Sequence, residues 1–261
     1  MHLDGEGAQT REQRREEMNE RIVATALRVL SQEGFEAITI QRLAGELGCA
    51  VGALYRYFKS KDALLVAVLH RIMDRLGKDL QAADRHVCKR SDLDEKDRAL
   101  LRVMMAGEVY VQSSMRHAEE FGLVSTLIGD PRELLATEDA APLLPPMMRM
   151  MGELTRYFSS AQELGALDDG GKASARGVTY WAALQGILQL RKLGRFGASA
   201  LHWDELAPGL ILSLLIGWGG DHQRVKILSG EVEGVWKAMN AESSSEFDPE
   251  SSSERLPSAS Q

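Results

Sequence analysis

The stretch 39–61, TIQRLAGELGCAVGALYRYFKSK, constrains this chain more than any other. Ile40, Leu43, Ala44 and Leu47 recur at the spacing that lines one face of a helix over 40–47. Thr39 precedes them as an N-cap, its hydroxyl oxygen able to accept a bond from an unpaired N–H of the first turn. Gly48 stops the helix, because glycine enters the left-handed conformation at the C′ position without a steric penalty. A second short helix is expected over 50–58, with Leu54 and Phe58 on its core side. Its other side then presents Val51, Gly52, Ala53, Tyr55 and Tyr57.

Two short helices around a tight turn have the spacing of a helix-turn-helix, whose second helix enters the DNA major groove. The outward residues suit that task. Gly52 lets backbone and DNA approach closely. Val51 and Ala53 offer apolar contact to a thymine methyl. Tyr55 and Tyr57 carry hydroxyls that reach phosphate oxygens, and Lys61 opens the next helix, where a phosphate is favoured.

Over 15–69 the residues fall into a familiar order: Gly34-Phe35, Ile38-Thr39, Leu43-Ala44, Gly48-Cys49-Ala50, then Gly52-Ala53-Leu54-Tyr55-Arg56-Tyr57-Phe58 and Lys61-Asp62-Ala63-Leu64. This pattern resembles the TetR family of bacterial transcriptional regulators. Two positions depart from it: Ala50 stands where a serine is usual, and Cys49 where a valine is usual. The resemblance implies an all-helical fold, a three-helix DNA-binding head joined to a helical ligand-binding and dimerisation bundle. It implies that Thr39, Gln41, Ala50, Val51, Gly52, Ala53, Tyr55, Tyr57 and Lys61 face DNA.

Charge is distributed accordingly. Residues 11–61 hold nine Lys and Arg against seven Asp and Glu, whereas the whole chain has a net charge of −7. A mildly basic head on an acidic body fits local contact with nucleic acid rather than bulk coating of it. Two cysteines, Cys49 and Cys88, make no disulfide framework. The first twenty residues are polar and charged, unlike a signal peptide, and the longest apolar run, near 210–216, is too short to span a bilayer. A cytoplasmic protein is expected, nucleoid-associated when on DNA.

Residues 1–14 read as a disordered arm, in which Arg11, Arg14 and Arg15 are placed to reach along DNA. The first helix is expected over 15–33, the head over 15–61 and the body over 62–240. A long amphipathic helix over 60–80, capped by Ser60, leaves the head. A polar loop is expected over 84–93, one helix over 94–121 and a shorter piece over 122–129. Pro131, Pro142, Pro145 and Pro146 then interrupt the pattern, and Pro145 or Pro146 opens a helix over 147–164. Helices over 172–193 and 206–218 are apolar on more than one face, with Pro208 in the first turn of the second. On the family resemblance, these two build a homodimer. A further helix is expected over 222–240, then a disordered acidic tail over 241–261.

Catalysis finds no support. The six histidines show neither a Glu-x-x-His pair nor a His-Glu-x-x-His zinc signature, and no phosphate-binding glycine loop occurs. No metal and no cofactor are expected. A pocket for a small apolar effector is the better expectation, since methionines adapt to varied apolar ligands. Its candidate lining is Met104, Glu108, Phe121, Met147, Met151, Tyr157, Trp181 and Gln185, with Gly107 on its border. Together these features describe a ligand-responsive repressor that binds a palindromic operator as a homodimer. The alternative is a helical ligand-binding or interaction protein without specific operator binding, which the departures at Cys49 and Ala50 would favour.

Overall fold

The computed structural model describes residues 10–129, 135, 137–191 and 203–245. Among the described residues every regular element is helical: α1 (Arg11–Glu33), α2 (Ile40–Leu47), α3 (Val51–Leu54), α4 (Lys61–Cys88), α5 (Glu95–Arg116), α6 (Ala118–Gly129), α7 (Thr137–Ala140), α8 (Leu144–Glu163), α9 (Ala173–Leu190), α10 (Trp203–Gly217) and α11 (His222–Ser245). They pack as two compact units. The first draws on Met1–Lys78, Tyr110–Glu153 and Leu188–Lys192, the second on Asp79–Val109, Leu154–Ile187 and Leu193–Gln261.

The first unit has one apolar core. Ile22, Ala26, Val29 and Leu30 of α1 meet Ile40, Leu43 and Ala44 of α2, and Leu54 and Phe58 close it. Leu64, Leu65, Val68, Leu69 and Ile72 of α4 and Leu123 of α6 belong to the same core. The head is thus more than the three helices expected. Helix α6 packs against α1, and the buried Glu120 of α6 pairs with Arg75 of α4.

The second unit is organised around aromatic side chains. Phe158 meets Tyr180 edge-on at 5.6 Å and Trp218 at 5.4 Å. The Tyr180 hydroxyl donates to the Val103 carbonyl at 2.9 Å. Helix α11 carries Val225, Leu228, Val235, Trp236 and Met239 inward. Arg224 on α11 pairs with Asp94 and Asp97, and Arg90 with Glu231.

Several boundaries differ from expectation, each for a local reason. Helix α1 begins at Arg11, not at residue 15, because Thr10 and Gln13 form a reciprocal capping box. Residues 1–9 of the expected arm lie outside the described residues. Helix α4 runs through the expected loop to Cys88, since Ala83 and Val87 continue its buried face. The helix expected over 94–121 breaks at His117, and α6 restarts at Ala118. Pro145 and Pro146 fall in the first turn of α8, where a missing N–H costs little. Helix α10 starts at Trp203, so Pro208 sits in its second turn rather than its first and removes one helical bond. Helix α11 extends to Ser245, into the expected tail. Pro131, residues 192–193 and residues 246–261 lie outside the described residues.

Candidate nucleic-acid interface

The turn between α2 and α3 is built as the sequence demands. Thr39 Oγ1 accepts the Arg42 N–H at 3.1 Å. Gly48 sits at φ 64°, ψ 33°. Around it the Cys49 N–H reaches the Ala44 carbonyl at 3.0 Å and the Gly48 N–H reaches that of Gly45 at 3.2 Å. These two crossed bonds satisfy carbonyls that the helix end leaves open. Ala50 is the N-cap of α3 and supplies no side-chain bond. Helix α3 is a single turn, Val51–Leu54, followed by tight turns rather than a helix to Phe58.

Most expected contact residues face solvent. Val51 is 36% exposed and Tyr55 48%. Gln41, Ala50 and Gly52 are also exposed, and nothing lies within 4 Å of where a Gly52 side chain would start. Thr39, Ala53 and Lys61 are half-buried. Tyr57 departs from expectation: it is half-buried and packs against the head core, so only Tyr55 presents its ring outward. The Lys61 ammonium lies 5.0 Å over the Phe35 ring, and Ser60 Oγ accepts the Ala63 N–H at 3.0 Å to cap its helix.

The surrounding charges tie α1 to α2. Arg42 bridges Glu33 at 2.7 Å and Glu46 at 2.9 Å, and Arg28 also pairs with Glu46. The hydrogen bond from Arg28, then the charge of Arg42, keeps the Glu46 carboxyl below its usual range. The hydrogen bond that Arg42 donates to Glu33 raises the pKa of its guanidinium. Two cations overlooked in the sequence stand beside Tyr55. Arg56 and Lys59 are exposed, and neither takes a side-chain partner among the described residues. Their signal was available: both occupy solvent-facing positions between the buried Leu54, Phe58 and Leu64.

Residues 22–68 match the model of the bacterial regulatory proteins of the tetR family. Residues 22–68 are thus similar to the helix-turn-helix segment of that family. An uncharacterized HTH-type transcriptional regulator of Bacillus subtilis, YerO, is 49% identical over 51 residues, 20% of this chain and 18% of that protein. The regulator BetI of Brucella anthropi is 26% identical over 152 residues, 57% of this chain and 76% of that protein. The matched stretch therefore spans under a fifth of the first relative's length. In three dimensions this chain resembles RolR, solved with resorcinol, at a TM-score of 0.59 and 17% identity, covering 84% of this chain and 96% of that one. That likeness concerns the fold. Both relatives are named as HTH-type transcriptional regulators.

The candidate effector residues are divided between the two units. Met104 and Tyr157 are fully buried in the second unit, where Gln185 is also buried and Glu108 and Trp181 half-buried. Phe121, Met147 and Met151 belong to the first unit. There Phe121 meets Tyr110 edge-on at 5.8 Å, and Met147 is 39% exposed. Gly107 borders no open space, because Tyr180 and Ile211 close over it. Met104 and Met105 of α5 are core packing, whereas Met115 of the same helix and Met147 and Met148 of α8 are exposed. Among the described residues no helix is long and apolar enough to cross a membrane.

Proposed function

We propose that this chain is a ligand-responsive repressor that binds a palindromic operator as a homodimer and is released by a small, largely apolar effector. The observation that carries the reading is the turn at Gly48, which leaves Val51, Gly52 and Tyr55 exposed on one short helix. No side chain from Cys49 to Leu54 carries a strong hydrogen-bonding group, so α3 reads thymine methyls by apolar contact. Gln41 and Tyr55 supply the polar contacts, and Thr39, Lys61, Arg56 and Lys59 the phosphate contacts. In this reading residues 15–61 are the DNA-binding segment and 62–240 carry ligand and dimer, in a cytoplasmic, nucleoid-associated protein.

A second copy is the partner suggested by α9 and α10. On α9, Val178, Ala182, Gly186 and Leu190 are exposed at helical spacing. On α10, Leu206, Gly209, Ser213 and Gly217 are exposed in the same way. A side chain added at Gly186, Gly209 or Gly217 would meet nothing within 4 Å, so a partner helix has room to approach closely. The two-fold dimer is the commonest closed assembly. The effector is assigned to the second unit, among Met104, Glu108, Tyr157, Trp181 and Gln185. The resorcinol-bound neighbour supports a small ring compound of that kind.

Enrichment of sheared genomic DNA by the purified protein tests the assignment. The wild type should recover fragments that share a palindrome, and Val51→Asp, which sets a carboxylate against the groove, should recover none. Recovery of no fragment by the wild type would favour the alternative, a helical ligand-binding protein without an operator. Equal recovery by both proteins would sink the placement of α3.

A further inference from the structure

We infer that the first three turns of α1 form a second DNA-contacting surface, which binds the phosphate backbone beside the site read by α3. The inference rests on the proposed DNA-binding role and extends it to residues outside the helix-turn-helix.

The first fully buried residue of α1 is Ile22, although the helix starts at Arg11. Seven residues, 11–17, are all exposed and overhang the head core, a length of roughly 10 Å at 1.5 Å per residue, before Met18 packs against it. At 3.6 residues per turn, Arg11, Arg14, Arg15 and Arg21 fall in one sector of roughly 120°. Glu12, Glu16, Glu17 and Glu20 fall in another that does not overlap it. The overhang is a two-sided rod, basic on one side and acidic on the other.

Two ion pairs orient the rod. Arg28 continues the line of Arg14 and Arg21 at intervals of seven residues, and it pairs with Glu46 of α2. The basic line therefore runs along the side of α1 that meets the helix-turn-helix. Glu20, in the acidic sector, pairs with Arg71 of α4 at 3.4 Å. The acidic side is thus the side toward α4.

The charge state completes the argument. Where arginines of the head meet carboxylates they pair, as Arg28, Arg42 and Arg71 do. Arg11, Arg14, Arg15 and Arg21 are exposed, and among the described residues none has a side-chain partner. An arginine row of this kind, rigid because Thr10 and Gln13 cap its helix, is complementary to a row of phosphates. Such contacts position the protein and add affinity without reading bases.

The test compares salt dependence of binding for the wild type and the triple variant Arg11→Gln, Arg14→Gln, Arg15→Gln. The probes are an enriched genomic fragment and a random-sequence duplex of the same length. Each lost phosphate contact should make the slope of log K against log salt shallower by about 0.9, on both duplexes and with base preference unchanged. A control removes three distant cations, Lys172→Gln, Lys226→Gln and Lys237→Gln. A wild-type slope in the arginine variant, or an equal change in the control, would overturn the inference and leave the α3 reading standing. Binding to random duplex with no enriched fragment would remove the operator reading and leave this surface in place. No binding to either duplex removes both.

Discussion

Gly107→Ala is the sharpest test of how the second unit packs. The methyl group would fall inside the Tyr180 hydroxyl, 2.7 Å from Ile211 Cδ1 and 3.0 Å from Tyr180 Cζ. Carbon atoms prefer about 3.5–4.0 Å. Tyr180 is fully buried and held by its bond to the Val103 carbonyl at 2.9 Å and its edge contact with Phe158 at 5.6 Å. Moving it would break a buried hydrogen bond worth about 1 kcal/mol. Overpacking a core adds about 1–3 kcal/mol. Against this, alanine is a better helix former than glycine by about 1 kcal/mol. The expected net loss is about 2 kcal/mol, although the substitution favours the helix itself. Urea unfolding of the wild type, Gly107→Ala, Tyr180→Phe and the double variant measures it. Tyr180→Phe alone should cost about 1 kcal/mol. The double variant should be more stable than the sum of the two losses, because the hydroxyl that meets the methyl is gone. A Gly107→Ala protein as stable as the wild type would refute the packing.

Other outcomes follow from single residues. Ala50→Ser adds the absent cap of α3 and should stabilise the protein by about 0.5–1 kcal/mol in thermal or urea unfolding. Arg75→Ala leaves Glu120, 5% exposed, without its guanidinium; urea unfolding should show a loss of about 2–4 kcal/mol, larger than for Glu120→Gln. The hydrogen bond from Arg90 holds the Asp92 carboxyl at about 2, below its unfolded value of about 3.9. Because the folded value is depressed, its contribution is present above that unfolded value and is lost as pH falls toward 2. Arg90→Gln should therefore flatten acid unfolding, followed by circular dichroism, over that window.

The head was legible because its determinants are local. Thr39, Gly48 and Ser60 act on their own helix ends, and each appears where its chemistry places it. The apolar spacing from Ile22 to Leu69 names the core residues one turn at a time. Exposure of Val51 and Gly52 followed from the same periodicity, since residues not on the core face must lie off it. The long-range pairings were not legible. Nothing near Glu120 in the sequence announces Arg75, and nothing near Gly107 announces Tyr180, because each pair is made by helices that meet only after the chain has folded. Tyr57 turned inward because α3 tightens after Leu54, a detail that helical spacing over 50–58 does not contain. The methionines show the limit most plainly. Composition marked them as adaptable, but burial put Met104 in a packed core and Met148 on the surface. Capping, turn chemistry and periodicity are properties of neighbours along the chain, so sequence alone determines them. Which faces meet, and what space they leave for an effector, depends on the summed packing of distant side chains, and only the tertiary structure decides it.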